Sequence, residues 1–268
     1  LHSPEGQKLE AAWRGLKFLV DRTDFRKNVK IEMLNVSKDT LRESFEDSPE
    51  LIQSALYRHV YTNAYDQPGA DPYSAIVSNY EFDASPQDMA LLGNVSKVAA
   101  SAHAPFLGAV GPQFFGKESM EDWKKIPDLS AYMELADFTK WNALRDTEDS
   151  RYLGLTFPRY LLRLPYGPDT VPVKSFNFKE EVIGNHDSYL WGQTAIAMAT
   201  RVADSFAKYR WCPNIIGPQA GGAKERAEHA RERSGPQGAR IRSDRMMSSR
   251  ARLALVGAMA LGLAACGG

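Results

Sequence analysis

Residues 73–110 read YSAIVSNYEFDASPQDMALLGNVSKVAASAHAPFLGAV, and this stretch decides the fold class. Its apolar centre, Ala75-Ile76-Val77, predicts a buried strand. Ser85-Pro86 predicts the start of a helix, because the serine hydroxyl can accept a backbone N–H and proline has none to leave unpaired in the first turn. Asp88, at the third helical position, gives an acidic variant of the capping box. Phe106–Val110 then predicts a second short strand, so the unit is strand, helix, strand.

Two amphipathic helices and one more strand are predicted outside this unit. The helices are expected near residues 9–20 and 190–209, where apolar residues recur at steps of three and four. The stripes expected to face the core are Leu9, Trp13, Leu16 and Val20 in the first helix, and Trp191, Ala195, Met198, Val202, Phe206 and Tyr209 in the last. The strand is predicted at residues 29–33, where apolar and charged residues alternate. The chain is therefore expected to be α/β, with a mixed sheet covered by helices.

Charge and aromatic content divide the chain into unlike parts. The 268 residues contain 33 basic and 33 acidic side chains, so the net charge is zero. Residues 223–268 contribute nine of the basic and four of the acidic side chains, and all 28 aromatic residues lie in residues 1–222. The balance excludes a globally basic nucleic-acid-binding protein. We predict a folded body at 1–222, an Arg-rich disordered segment at 223–245 and a separate tail at 246–268.

The tail resembles a bacterial lipoprotein signal peptide. Met246–Arg252 is a basic start, an apolar run follows, and Leu263-Ala264-Ala265-Cys266 forms a box of small residues before a cysteine. The apolar run, residues 253–265, is too short to span a bilayer. The sequence therefore predicts that the tail is not native to the fold of the body, and the body itself contains no membrane-spanning run.

A phosphate-binding loop is suggested by residues 111–117, GPQFFGK, which have the spacing G-x-x-x-x-G-K after an apolar strand. Such a loop needs free backbone N–H groups, and a Ser or Thr after the lysine to hold Mg²⁺. Here Pro112 removes one donor, two phenylalanines crowd the loop, and Glu118 follows Lys117 in place of the hydroxyl. We therefore expect a turn between a strand and a helix instead of a nucleotide site.

The histidines indicate no metal site, because no pair has the spacing that metal ligands use. His186 beside Asp187 could be a base and its orienting carboxylate, but adjacent residues seldom face each other. The body also lacks the G-x-S-x-G motif of serine hydrolases and the G-x-G-x-x-G motif of dinucleotide binding. No catalytic, cofactor-binding or metal-binding residue is predicted. The alternative is a nucleotide-binding or hydrolytic enzyme that uses Lys117 or His186.

Aromatic side chains crowd the region between residues 152 and 191. They are Tyr152, Phe157, Tyr160, Tyr166, Phe176, Phe178, Tyr189 and Trp191. Aromatic residues and arginine are enriched at protein–protein interfaces, although core packing accounts for some of the eight. Arg159 and Arg163, in the same region, are expected to form salt bridges within the chain or across an interface. With no catalytic set, a protein that acts through assembly is favoured.

Four strings carry a family resemblance: Trp13–Arg22, Ser85–Met89, Leu161–Thr170 and Phe206–Ile215. On these strings the chain resembles the large subunit of the type VI secretion contractile sheath, the TssC, VipB or EvpB family, from about Leu9 to Gly222. The resemblance implies the sheath subunit fold in incomplete form, because the family's chain begins before Leu1 and continues past Gly222. It also implies a structural protein without enzymatic activity or a cofactor.

The same resemblance implies a set of partners in the bacterial cytoplasm. Family members pair with a small sheath subunit of the TssB or VipA type, and copies of the heterodimer stack as helically arranged six-membered rings. The sheath encloses a tube of Hcp protein on a baseplate, and a ClpV-type AAA+ ATPase recycles it after contraction. Neither nucleic acid nor, for the body, a membrane is an expected partner.

Overall fold

The computed structural model describes residues 2–182, 184–213, 215 and 251–257. The helices are α1 (Pro4–Asp21), α2 (Lys38–Glu46), α3 (Ala55–Tyr57, continued by a π-helical turn over Arg58–Thr62), α4 (Pro86–Ser101), α5 (Leu129–Tyr132), α6 (Thr139–Arg145) and α7 (Thr194–Tyr209). The strands are β1 (Val29–Asn35), β2 (Tyr73–Phe82), β3 (Phe106–Val110), β4 (Leu153–Thr156), β5 (Tyr160–Leu161), β6 (Trp191–Gly192) and β7 (Ala251–Gly257).

The centre of the fold is a five-stranded sheet in the order β1-β7-β2-β3-β4. Every neighbouring pair in it is parallel. A second sheet consists of the short antiparallel pair β5 and β6. Because helices connect parallel strands and cover both faces of the large sheet, the predicted α/β class with a helix-covered sheet is confirmed.

The strand–helix–strand unit at residues 73–110 forms as predicted, with α4 between β2 and β3. Ser85 caps α4 by accepting the Asp88 N–H at 3.2 Å. The Asp88 carboxylate does not return this bond to Ser85, as a capping box would. It accepts the Asp83 N–H at 2.8 Å and the Lys38 ammonium at 2.9 Å, so it joins the start of α4 to the start of α2.

Large side chains fill the layer between the sheet and α2, α3 and α4. Leu92, Val95 and Val98 of α4 are fully buried against Ile76 and Phe106 of the sheet. Burying each of these side chains stabilises the fold by about 1.5–3 kcal/mol. This layer is the larger of the two hydrophobic cores and continues into the aromatic side chains that follow β3.

The opposite layer combines small side chains on α1 and α7 with the fully buried Leu19 and Ile196. Ala12 and Gly15 of α1, with Ala195 and Ala199 of α7, lie buried where the helices meet each other and the sheet. The approach is so close that a Cβ on Gly15 would lie 2.8 Å from Cδ1 of Ile196. The apolar stripes predicted for these helices are therefore wrong in part. In α1 the small residues and Leu19 face inward, so Leu9, Trp13 and Val20 of the predicted stripe are exposed. In α7 the predicted stripe mostly faces the core, since Ala195 is buried and Met198 and Val202 pack against the core, and Tyr209 is exposed.

β7 lies inside the large sheet, between β1 and β2. Its register places Leu253 beside Ile31 on one side and beside Ala75 on the other. The sequence alone predicts that residues 246–268 are foreign to the fold, whereas residues 251–257 pair with strands on both sides. The predicted boundary at residue 222 and the Arg-rich segment 223–245 lie outside the described residues and stay predictions.

Candidate functional site

The loop after β3 is a closed turn. Residues Pro112–Phe115 form a 3-10 helix, and Gly116 ends it in the left-handed region at φ 63°. The backbone N–H groups of Phe114, Gly116 and Lys117 donate to carbonyls within the turn, so they are not available to a phosphate. The rings of Phe114 and Phe115 are buried in the core. The expected turn is confirmed, and the side-chain ammonium of Lys117 lies over the ring of Tyr132, 5.4 Å from its centre.

His186 is held by aromatic contacts and has no carboxylate partner in Asp187. Its ring lies 4.7 Å from the ring of Trp191, and its carbonyl accepts the indole N–H of that residue at 2.9 Å. Asp187 instead accepts a hydrogen bond from Arg159 Nη2 at 3.1 Å. The arrangement positions the segment before β6 and forms no base-and-orienter pair.

A polar cleft of about 170 Å³ opens at the carboxyl ends of β2 and β3, where open α/β sheets commonly bind ligands. Its cationic lining residues are Lys38 and Arg159, and each already has a carboxylate partner, Asp88 and Asp187 respectively. Neither Lys117 nor His186 lines this cleft. Its lining cations are therefore neutralised by the protein itself.

Metal-binding and membrane-spanning features are absent from the part of the chain that the structure describes. Among those residues, no three His, Cys, Asp or Glu side chains come close enough together to hold an ion. The helices of the same ranges are all too short or too polar to cross a bilayer.

Most of the aromatic residues of the 152–191 region are half-buried and lie against other side chains of the protein. Phe157 lies against the rings of Phe115 and Trp123, and Tyr160 lies against Phe18 of α1. Phe176 is an exception, with 62% of its surface exposed. Contacts within the chain therefore account for part of this cluster, as the sequence analysis allowed.

Arg163 is the centre of a buried ion-pair network that fastens α1 to the segment after β5. Its guanidinium donates two hydrogen bonds to Glu180, at 2.6 and 3.1 Å, and its Nε donates to Glu10 of α1 at 2.8 Å. Glu180 also accepts the Tyr166 N–H at 2.8 Å and contacts His2 Nε2 at 3.0 Å. The predicted salt bridging of Arg159 and Arg163 is thus confirmed, with Asp187, Glu10 and Glu180 as partners.

The network holds its carboxylates in the ionised form. Burial raises the pKa of Glu180, but hydrogen bonds from Arg163, the Tyr166 N–H and His2 outweigh it and lower the pKa to about 2. The pKa of Glu10 is lowered too, because hydrogen bonds from Arg163 and Arg14 outweigh the effect of its burial. Since Arg163 and Glu180 expose only 7% and 1% of their side chains, the pair is shielded from water.

The exposed apolar side chains on the α1 and α7 layer form the candidate interaction surface, which we call the outer face. Its members are Leu9, Trp13 and Val20 of α1, Phe25 in the turn that follows, Tyr209 at the end of α7, and Trp211. Arg210 donates to the Lys27 carbonyl at 2.9 Å, which brings the end of α7 beside the turn after α1. Trp13 is 49% and Trp211 66% exposed, which is unusual for large rings at the surface of a monomer.

Sequence reasoning placed the α1 residues of the outer face on the wrong side of that helix and made no prediction for Phe25 or Trp211. Leu9, Trp13 and Val20 were expected in the core because they share one helical stripe. The competing signal was the set of small residues, Ala12 and Gly15, on the neighbouring stripe. Helix faces made of Ala and Gly pack closest, so that set marked the inward side.

Two comparisons with known proteins agree with one another. Residues 1–262 match the VipB family model, described as EvpB/VC_A0108, tail sheath N-terminal domain. The chain is 41% identical over 225 residues to the type VI secretion system sheath protein TssC1 of Pseudomonas aeruginosa, an alignment that covers 83% of this chain and 45% of that relative. The chain thus spans less than half the length of this relative. The comparisons give no support to the resemblance of the tail to a lipoprotein signal peptide. By the extent of the family match, the chain belongs to the VipB family of tail sheath proteins.

Proposed function

We propose that this chain is part of a structural subunit of the type VI secretion contractile sheath. The observation that carries the proposal is the outer face, where large apolar side chains remain exposed although the core beneath is closely packed. A subunit that buries such a surface against a neighbour gains stability from the apolar area removed from water. Membership of the sheath family and the similarity to a named sheath protein support the same function.

The proposed partners are those of a cytoplasmic sheath. They are a small sheath subunit of the TssB or VipA type, further copies of the same subunit in six-membered rings, the Hcp tube, the baseplate and a ClpV-type AAA+ ATPase. Trp13 and Trp211 are suited to anchor such contacts, because exposed tryptophan is enriched among the residues that dominate binding energy. No cofactor and no enzymatic step enter this proposal.

Co-purification tests the proposed assembly. The chain, carrying an affinity tag, is expressed with the small sheath subunit of the same genome, and the two are expected to purify together. Trp13→Asp should weaken this association by at least about 10-fold, because it places a charge in an apolar contact. The matched control is Ile52→Asp, at a residue that is 52% exposed in the turn before α3, away from the outer face.

Both variants should keep the circular dichroism spectrum of the parent chain, since each substituted side chain is about half exposed. Equal recovery of the small subunit with Trp13→Asp and with the parent would contradict a role for the outer face. Failure of the parent chain to capture any sheath subunit would contradict the proposed function.

An ATP-binding and hydrolysis assay separates this proposal from the enzymatic alternative. We expect no activity above that of a Lys117→Ala/His186→Ala double variant, because the loop amides are bonded internally and Asp187 pairs with Arg159. A robust activity in the parent chain that the double variant loses would favour the enzyme instead.

A further inference from the structure

The space between β1 and β2 is one strand wide, and we call it the β1–β2 gap. β7, seven residues long, fills it and pairs in parallel with β1 on one side and with β2 on the other. Strand β1 has β7 as its hydrogen-bonded neighbour in the sheet order, so this occupant completes the sheet between β1 and the other strands.

Side-chain bonds join the two walls of the gap directly to each other. The Tyr73 hydroxyl of β2 donates to the Glu32 carboxylate of β1 at 2.5 Å. Beside it, the Lys30 ammonium of β1 donates to Asp71, just before β2, at 2.7 Å. These two bonds fix the separation of the strands at the end where both begin.

The other end of the gap is fixed in the same way. The Tyr80 hydroxyl of β2 donates to the Val36 carbonyl, directly after β1, at 2.6 Å. Lys38, at the start of α2, donates to the Glu81 carbonyl of β2 at 3.1 Å. The walls of the gap are therefore positioned at both ends by contacts outside the central strand, which is the arrangement of a preorganised binding site.

The neighbours of β7 define the peptide that fits. The register places Leu255 between Met33 and Val77, and Val77 is fully buried against α1 and α7. It places Ala254 between Glu32 and Ile76, close to where the Glu32 and Tyr73 side chains meet across the gap. The site therefore requires an extended, largely apolar segment with a small residue at the position of Ala254. Proline is excluded there, because a strand paired on both sides needs its N–H groups.

We propose that the β1–β2 gap is a binding site for an extended apolar peptide of about seven residues, which residues 251–257 fill in cis and an added peptide of the same sequence can fill in trans. Outside its pairing in the sheet, β7 is joined to α7 through residues 210–250. This covalent link keeps the local concentration of the segment high, so cutting it turns the occupancy into an ordinary bimolecular equilibrium.

The experiment uses the full chain with a protease recognition sequence introduced within residues 216–250. After cleavage, the fragment that contains residues 251–257 should co-elute with the body on size-exclusion chromatography. A fluorescent synthetic peptide of residues 250–258 in excess should then bind, measured by anisotropy, and displace the fragment, measured by mass spectrometry. The same peptide carrying Ala254→Pro is the matched control and should bind at least 10-fold more weakly, and the uncleaved chain should bind neither.

Each other outcome overturns the proposal. If the fragment separates and the folded body binds no added peptide, the gap is not a peptide site. If the body unfolds on cleavage, or the fragment never exchanges, the occupant is an inseparable part of the fold. Equal binding of the Ala254→Pro peptide would show attachment at some other surface.

Discussion

Removing the charge of Glu180 should destabilise the protein at neutral pH. Glu180→Gln keeps the size of the side chain but cannot supply two anionic oxygens to the Arg163 guanidinium. Arg163 is 7% exposed, so the positive charge would stay shielded from water with Glu10 as its remaining carboxylate partner. The substitution also weakens the acceptor of the Tyr166 N–H. Breaking a buried pair from one side costs more than the pair contributes, because a buried charge is left behind.

The loss in the free energy of unfolding can be worked out in two ways, and the two values agree. A fall in the pKa of Glu180 from 4.5 to about 2 on folding corresponds to about 3 kcal/mol of stability at neutral pH. Loss of one partner of a buried ion pair costs about 3–5 kcal/mol, and the remaining Glu10 favours the lower end. In a chain of this size, about 3 kcal/mol lowers Tm by roughly 6–12 °C.

Thermal unfolding followed by circular dichroism measures the effect, with Glu148→Gln as the control. Glu148 pairs with Arg151 at the surface and is 83% exposed, so its loss should shift Tm by no more than about 2–4 °C. The pH dependence has a definite sign, because the folded pKa of Glu180 is lower than the unfolded one. Its contribution is complete above about pH 5 and is lost as the pH falls toward 2, so the difference between parent and variant should shrink over that window.

Equal Tm values for Glu180→Gln and Glu148→Gln at pH 7 would contradict a stabilising role of the Glu180 charge. A difference in Tm between Glu180→Gln and the parent that stayed constant as the pH falls toward 2 would contradict it as well. A further check is the Arg163→Met/Glu180→Gln double variant. It should lose less stability than the sum of the two single variants, because removing both partners leaves no unpaired charge in the core.

Three smaller effects follow from other contacts. Gly15→Val should cost about 1–3 kcal/mol in urea unfolding, since its Cβ would lie 2.8 Å from Ile196 Cδ1 and displace that buried side chain; no loss would mean that Ile196 can repack without cost. Tyr80→Phe should cost about 1–2 kcal/mol by removing the hydroxyl that donates to Val36, and an unchanged midpoint would contradict that bond. Ser85→Ala should cost about 1 kcal/mol through the lost cap of α4, whereas Ser85→Asp should restore it.

Sequence reasoning predicted the parts of this fold that depend on local pattern. The strand–helix–strand unit at 73–110 carries its own start signal, Ser85-Pro86, and its own apolar period, so local residues were sufficient. The orientation of α1 depended on which of two stripes packs closer, and that is decided by the partner helix. Local periodicity gave the larger apolar residues too much weight against Ala12 and Gly15.

The contacts that sequence reasoning missed join distant parts of the chain. Arg163 pairs with Glu10, which is far away in the sequence and belongs to another element. Nothing beside either residue identifies the other as its partner. The turn after β3 was predicted correctly, because the residues that favour it, such as Pro112, lie inside the motif itself.

The position of β7 sets an order of events during synthesis. Val29 leaves the ribosome long before Ala251, yet they are partners in the same pair of strands. Until residue 257 has emerged, β1 and β2 present unpaired backbone edges to one another and to other nascent chains. Such edges favour aggregation, and pairing across so long a stretch of chain is slow. Synthesis of residues 251–257 therefore becomes a checkpoint, since a polypeptide released before residue 251 lacks this internal partner for β1.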